Sequence, residues 1–227
     1  MCGRFAQRRP PAEVARLFKT KGATPNVGAR FNIAPTTDVL AIAYDRTKAE
    51  RRMGTLRWGL IPAWAKDTKI AMSLINAKSE TLNEKPSFRE AFARRRCIIP
   101  ADAFYEWKVE GKTKQAFAAV RRDGAPLAFA GLWERWRDDA SGELIRTCTI
   151  VTTQANEICE PIHHRMPVIL ADDAHGRWLG EDETTLDELS ALLTPFPAEA
   201  MEVYAVDARV GNVRNDDEQL LERVSAA

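Results

Sequence analysis

The sequence predicts an α+β fold, a single domain with a largely antiparallel, barrel-like β-sheet core flanked by helices. Three observations predict it. Strand-like segments crowd the middle of the chain, with glycine-containing turns between them. Segments of helical period lie at the flanks. No linker composition interrupts residues 1–227, and 45% hydrophobic with 29% charged content suits one buried core.

The elements follow in order. Gly3–Gln7 reads as a short strand. Pro11–Phe18 reads as a helix, with Pro at its start and Val14, Leu17 and Phe18 at helical spacing. Gly22–Pro35 reads mostly as loop. Val39–Tyr44 and Arg52–Trp58 read as strands, Ile61–Ile75 as irregular, and Ser79–Arg95 as a helix interrupted near Pro86. Cys97–Ile99, Phe104–Val109, Ala116–Val120, Leu127–Trp133 and Leu144–Thr153 form the run of strands, turned at Gly111, Asp123-Gly124 and Ser141-Gly142. Val168–Leu170 reads as a further strand. Helices at Asp173–Leu179 and Thr185–Leu193 carry acidic or hydroxyl residues at their starts, and Val203–Val206 closes the sheet system.

No apolar run is long enough to span a bilayer. Arg8, Arg9, Pro10 and Pro11 stand where a signal peptide needs an apolar core, so a cytoplasmic protein is expected. Cys2, Cys97, Cys148 and Cys159 form no CxxC pair and are expected as free thiols. Residues 1–120 hold 23 Lys and Arg against 11 Asp and Glu; residues 121–227 hold 10 against 21. Two readings of that asymmetry stand. The first half builds a nucleic-acid face, or the halves neutralise each other across one surface.

The chain begins Met1-Cys2-Gly3-Arg4. A small second residue leads one to expect removal of Met1, leaving Cys2 with a free α-amine beside its thiol. These groups titrate near ~8 and ~8.5, so both are partly nucleophilic at neutral pH. The amine condenses with an aldehyde, and the thiol can close the imine into a thiazolidine.

Other polar residues admit paired readings. Asn76, between Leu74-Ile75 and Lys78-Ser79-Glu80, either caps a following helix or presents its amide at the mouth of a sheet. Alternation puts Phe104, Glu106 and Lys108 on one strand face. Glu106 is then either solvent-facing beside Lys108, or desolvated among its bulky neighbours and fit for general acid/base work. His163-His164-Arg165-Met166-Pro167 offers an imidazole able to exchange protons near neutrality and a guanidinium fork for phosphate. Cys159 and His163 are four apart but lack a second Cys pair, so no metal is expected. Trp58, Trp107, Trp133 and Trp178 lie in periodic apolar segments and read as core. Trp64, in a loop beside Lys66, suits stacking on a nucleic-acid base, and Trp136 has a similar but more acidic setting. Arg94-Arg95-Arg96 reads as a solvated helix end, and His175 as a structural residue of a surface helix.

Seven stretches together resemble one family. They are Met1–Phe5 (MCGRF), Phe31–Pro35 (FNIAP), Arg57–Pro62 (RWGLIP) with Trp64, Ile75–Glu80 (INAKSE), Phe104–Trp107 (FYEW), His163–Pro167 (HHRMP) and Val210–Asn215 (VGNVRN). In that order they resemble the SOS response-associated peptidase (SRAP) family from residue 1 to about residue 215. The resemblance implies a protein that recognises abasic sites in single-stranded DNA and crosslinks to the ring-opened sugar through Cys2. It implies Cys2 as nucleophile and Asn76 as a hydrogen-bonding orienter. Glu106 would manage protons at the amine and imine, and His163 would assist sugar opening. Arg4, Lys78 and Arg165 would hold phosphates, with Trp64 stacking beside bases. It implies no cofactor, a monomer, association with the nucleoid when DNA is bound, and a peptidase-like removal of Met1.

Two departures matter. Lys78 stands where the motif often has Arg, keeping charge without the bidentate fork. Ala65 follows Trp64 where another bacterial member has a second Trp. Three other functions fit parts of the sequence. An N-terminal-nucleophile glutamine amidotransferase also begins Cys-Gly, but its Asn-Gly and Arg-Gly-Pro-Asp motifs are absent. A non-catalytic single-strand binding module would make Cys2 incidental. A cysteine protease would use a Cys2–His163 dyad.

Overall fold

The computed structural model describes residues 2–111 and 113–225. In chain order the elements are β1 (Phe5–Gln7), α1 (Pro11–Leu17), β2 (Arg30–Ile33), β3 (Asp38–Asp45), β4 (Glu50–Trp58), β5 (Asn76–Lys78), α2 (Arg89–Arg94), β6 (Arg96–Ala101), β7 (Ala103–Glu110), β8 (Thr113–Arg121), β9 (Leu127–Arg137), β10 (Leu144–Gln154), β11 (Arg165–Pro167), α3 (His175–Leu179), α4 (Leu186–Ala191) and β12 (Met201–Val206). One sheet runs β12-β8-β7-β1-β2. In the other, β10 pairs with β4, the order continues through β3, β6 and β9, and β9 pairs back onto β10. Five strands thus close a barrel, which removes the edges that an open sheet leaves unpaired. Pairing is antiparallel except along one edge of β10, where β4 and then β5 lie parallel to it. The long β10 also reaches past the ring on its other edge, where β11 pairs at Gln154↔Arg165.

The period-2 alternation of the strands sorts side chains into separate cores. In β3, Val39 and Ala41 join Phe5, Phe104 and Phe129 between the two sheets. Leu40 and Ile42 join Val14, Phe92, Trp178 and Leu189 beneath the helices. The opposite face of the five-stranded sheet presents Ala6, Tyr105 and Ala118, which Val210 and Leu220 of the C-terminal segment cover. Trp58 and Trp178 have no exposed surface. Each satisfies its indole N–H on a carbonyl, Ile75 and Cys97 respectively, both at 2.8 Å, as buried indoles must.

Several local expectations are corrected. Within the expected Gly22–Pro35 loop, Arg30–Ile33 forms β2, because β1 offers it a partner and the Asp216 carboxylate accepts from the Phe31 and Asn32 N–H groups. The Ser79–Arg95 helix is reduced to a 3-10 turn at Ser79–Thr81 and the short α2. The expected Val168–Leu170 ladder moves upstream to Arg165–Pro167, leaving Ile169 in an isolated bridge with Phe129. Trp136 is buried on Ile61 and Ala71, with its N–H on the Ala65 carbonyl at 2.7 Å, so it is not a loop aromatic. Trp107 and Trp133 are only half-buried, each beneath a cation: Lys114 lies 5.1 Å from Trp107 and Arg135 lies 5.7 Å from Trp133. Arg96 is not solvated. It is buried and donates to Phe92 and Ala93 carbonyls at the end of α2 and to the Trp178 carbonyl. His175 is buried and stacked on Phe18 at 5.4 Å. All four cysteines are free, as expected, and buried.

Asn32 ties the second sequence motif to the last. Its amide donates to the carbonyls of Val210, Asn212 and Asn215 at 2.7–3.2 Å, and its Oδ1 accepts from Arg4 at 2.7 Å. Replacing Asn32 by Ala orphans buried polar groups, which cost about 1–3 kcal/mol each. The expected result for Asn32→Ala is a loss of about 2–4 kcal/mol, read from the midpoint of urea unfolding at unchanged m-value.

Candidate active site

The start of the chain is built into the interior. Phe5 has no exposed surface and meets Trp58 edge-on at 5.1 Å and Phe129 at 5.8 Å. β1 pairs with β7 through Phe5↔Phe104 and Ala6↔Ala103, and the Arg4 carbonyl extends the ladder by accepting from the Tyr105 N–H at 2.9 Å. Because the ladder is antiparallel, residues before Arg4 run toward Glu106. Cys2 is therefore delivered, fully buried, into the core between the sheets. Burial pushes its thiol well above the ordinary range, and the charge of Glu106 adds to the rise. The thiol is held protonated until a base takes its proton.

Asn76 reaches the same place from the barrel. It opens β5, opposite Ile150 of β10, and the preceding residue is pinned by the Trp58 indole on the Ile75 carbonyl. Its Nδ2 donates to the Cys2 carbonyl at 2.8 Å. Its Oδ1 is buried with no hydrogen-bond partner among the described residues. Of the two readings of Asn76, the sheet position holds. The following 3-10 turn is entered at Lys78, with no side-chain cap.

Glu106 lies in β7 opposite Phe117 and lines a small recess with Phe104, Phe117, Cys159, Ile162 and His163. It is half-buried, not solvated, and burial lifts its carboxyl above the usual range. His163 closes the tight turn after Asn156, its N–H on the Cys159 carbonyl at 3.0 Å. Burial lowers the imidazole below its usual range. Nδ1 lies 3.0 Å from the Arg165 backbone nitrogen and 3.2 Å from the Arg165 carbonyl oxygen, so either tautomer of the ring is held there by the Arg165 backbone. The ring stacks on His164 with centroids 4.4 Å apart. One carboxyl is thus raised and one imidazole lowered, which brings their proton affinities closer together, as proton exchange between them requires.

The expected phosphate-binding residues divide into two kinds. Arg165 is buried, with its fork closed on Glu80 at 2.5 and 3.0 Å and on the Thr152 carbonyl at 2.6 Å. The Arg165 guanidinium in turn holds Glu80 below the usual carboxylate range. Arg4 is half-buried, donating from Nη1 to Asn32 and the Val210 carbonyl and lying 5.8 Å from the Trp107 ring. Both guanidinium groups brace the fold in this structure. Lys78, by contrast, is exposed at the end of β5. Trp64 is 58% exposed, as is Met72, a neighbour in the same irregular segment that sequence reasoning passed over. Two others were missed. Glu80 stood inside a recognised motif with no role, and Cys159 gave no signal that it would line the recess.

Comparison with known proteins identifies the family. The family described as "SOS response associated peptidase (SRAP)" matches residues 1–213. The abasic site processing protein YoqW of Bacillus subtilis is 44% identical over 225 residues, covering 98% of this chain and 99% of that protein. The abasic site processing protein YedK of Escherichia coli is 32% identical over 235 residues, covering 99% and 100%. A crystal structure of a Bacteroides thetaiotaomicron protein shares the fold with a TM-score of 0.89 at 27% identity, covering 98% of this chain and all of that one. Family model, relatives and fold thus converge on one assignment: the chain belongs to the SRAP family.

Proposed function

We propose that this protein processes abasic sites in single-stranded DNA by forming a covalent thiazolidine between Cys2 and the ring-opened sugar. One observation carries the reading. Cys2 is buried against the Asn76 amide and within the field of Glu106, while Glu106 and His163 line one recess. A lone second-position cysteine needs none of these neighbours. An amine-plus-thiol attack on an aldehyde uses all of them.

The steps follow from the groups present. His163, held at Nδ1 by the Arg165 backbone, assists transfer of the sugar hydroxyl proton as the hemiacetal opens. The Cys2 amine adds to the aldehyde carbon and one water leaves, giving an imine. The Cys2 sulfur then bonds to the imine carbon; Glu106 takes the thiol proton, and the imine nitrogen gains one. The Asn76 Oδ1 offers an acceptor for the amine N–H or a sugar hydroxyl. The reverse sequence, imine re-formation and hydrolysis, uses the same groups and supports self-reversal. All of this requires a free amine on Cys2. Met1 lies outside the described residues, and its peptidase-like removal belongs to the proposal. Exposed Lys78 and Trp64 supply the phosphate contact and the stacking surface for a strand passing the recess, and the protein acts as a monomer. Among the described residues no helix is long and apolar enough to cross a membrane.

Single-stranded DNA with one abasic site is expected to give a heat-stable adduct whose mass is protein without Met1 plus DNA, less one water. Cys2→Ser is expected to give none. Intact-mass spectrometry reads both, and a Met1-free sample that forms no adduct would sink the proposal. Lys78→Ala is expected to weaken initial binding and to reduce the already modest salt slope by about 1, measured by fluorescence anisotropy across salt concentrations.

Glu106 connects activity to stability. Its folded pKa is raised, so it favours the folded state while protonated. That stabilisation is lost as pH rises from the unfolded value near ~4.3 through the folded one. Glu106→Gln is therefore expected to melt higher than wild type at pH 7, with the gap closing toward pH 4. The same variant should crosslink about 10²-fold more slowly, followed by gel shift under denaturing conditions.

A further inference from the structure

Glu80 is the acidic member of the motif that carries Asn76 and Lys78, yet the steps above leave it without work. Its carboxylate takes both terminal nitrogens of the Arg165 guanidinium, at 2.5 and 3.0 Å. That pair joins two segments that are distant in sequence. Glu80 sits in the 3-10 turn directly after β5, the strand that carries Asn76 and Lys78. Arg165 opens β11, directly after the histidine turn. The two segments flank β10 on opposite edges, and Arg165 Nη2 also reaches the Thr152 carbonyl of β10 at 2.6 Å. The bond therefore straps β5 and β11 together across the end of their shared strand. It differs from an ordinary surface pair, because the Arg165 side chain is only 9% exposed and its fork is bidentate.

We propose that Glu80 is a positioning residue for the reaction assigned above, acting through Arg165 to set the orientation of His163 relative to Asn76. The inference rests on that functional reading for its catalytic consequence, and on geometry alone for its mechanical part. Arg165 is the link. Its backbone nitrogen and carbonyl oxygen lie 3.0 and 3.2 Å from His163 Nδ1, so whatever fixes the Arg165 backbone fixes the orientation of the ring. Removal of the Glu80 charge has a second effect. The Arg165 cation is left uncompensated beside His163, where its charge already disfavours the imidazolium. Among the described residues the other titratable groups around that ring are His164, Cys159 and Glu106; the charge of the chain's α-amine also disfavours the imidazolium, and a Glu80 substitution leaves all of these groups in the chain.

Two measurements test this on the full chain. The first is an NMR titration of the His163 imidazole without DNA, in wild type, Glu80→Gln and Glu80→Asp. His163 is expected to titrate lower in Glu80→Gln and to return toward wild type in Glu80→Asp, which keeps the charge. An unchanged His163 titration in Glu80→Gln overturns the proposal. The second is crosslinking rate against pH on abasic single-stranded DNA, with affinity for a non-reactive tetrahydrofuran analogue measured beside it. Glu80→Gln is expected to slow the reaction about ten-fold, as displaced catalytic groups do. Its acid limb should move to lower pH, with analogue affinity within about two-fold of wild type. A wild-type rate and profile in Glu80→Gln overturns the proposal and leaves the functional reading intact. If wild type itself forms no adduct, the functional reading fails, and the His163 titration still decides whether Glu80 sets that imidazole. Should Glu80→Gln not fold, Arg165→Lys poses the same question, since one ammonium cannot take both carboxylate oxygens. Wild-type His163 titration and rate there overturn the proposal.

Discussion

The packing of Phe5 against Trp58 is the contact on which the site depends. It lies between the two sheets and fixes both halves of the chemistry at once. On the Phe5 side, three residues upstream is Cys2, drawn into the core by the β1–β7 ladder. On the Trp58 side, the indole N–H holds the Ile75 carbonyl and so places Asn76. The hydrogen bond between Asn76 and the Cys2 carbonyl is then a consequence of core packing, not a contact that must find itself at the surface. A buried aromatic pair is stiff, and stiffness is what a reaction between a tethered amine and an aldehyde demands.

Burial of the nucleophile has an electrostatic cost that the rest of the site offsets. A thiol with no solvent beside it resists ionisation, and the Glu106 charge makes ionisation harder still. An isolated thiolate mechanism is therefore disfavoured. The same burial raises Glu106 and lowers His163, so the groups proposed to relay protons are shifted by the desolvation that keeps sulfur neutral. The amine, whose nucleophilic form is neutral, is the group such an environment favours for the first attack.

The sequence carried the architecture because alternation and turn residues are local. The strands from Cys97 to Thr153 appear close to where period-2 patterning puts them, and the Thr185 capping box marks α4 as its hydroxyl and Glu188 suggest. What it did not carry depends on partners distant in the chain. β2 exists because β1 and Asp216 satisfy it. β5 exists because β10 runs past it, which turned Asn76 from an apparent cap into a site residue. The motifs singled out Cys2, Glu106 and His163, which the fold brings near one another, but local pattern gave no sign that Arg4 and Arg165 would be drawn into the fold by Asn32 and Glu80. A guanidinium reads the same in sequence whether its partner is a phosphate or a carboxylate of its own chain.

That ambiguity also settles how the uneven charge is used. Arg30 pairs with Asp216, Arg51 with Glu181 and Arg95 with Glu134, so basic residues of the first half are consumed by acidic residues of the second. Part of the asymmetry is thus neutralised within one folded surface. Lys78 at the end of β5, Lys66 beside Trp64 and Lys114, whose charge bears on Glu106, remain exposed. In the proposed reaction such exposed cations meet the strand, while retention of the lesion comes from the covalent bond at Cys2. That division suits a site whose rigidity is concentrated around Cys2.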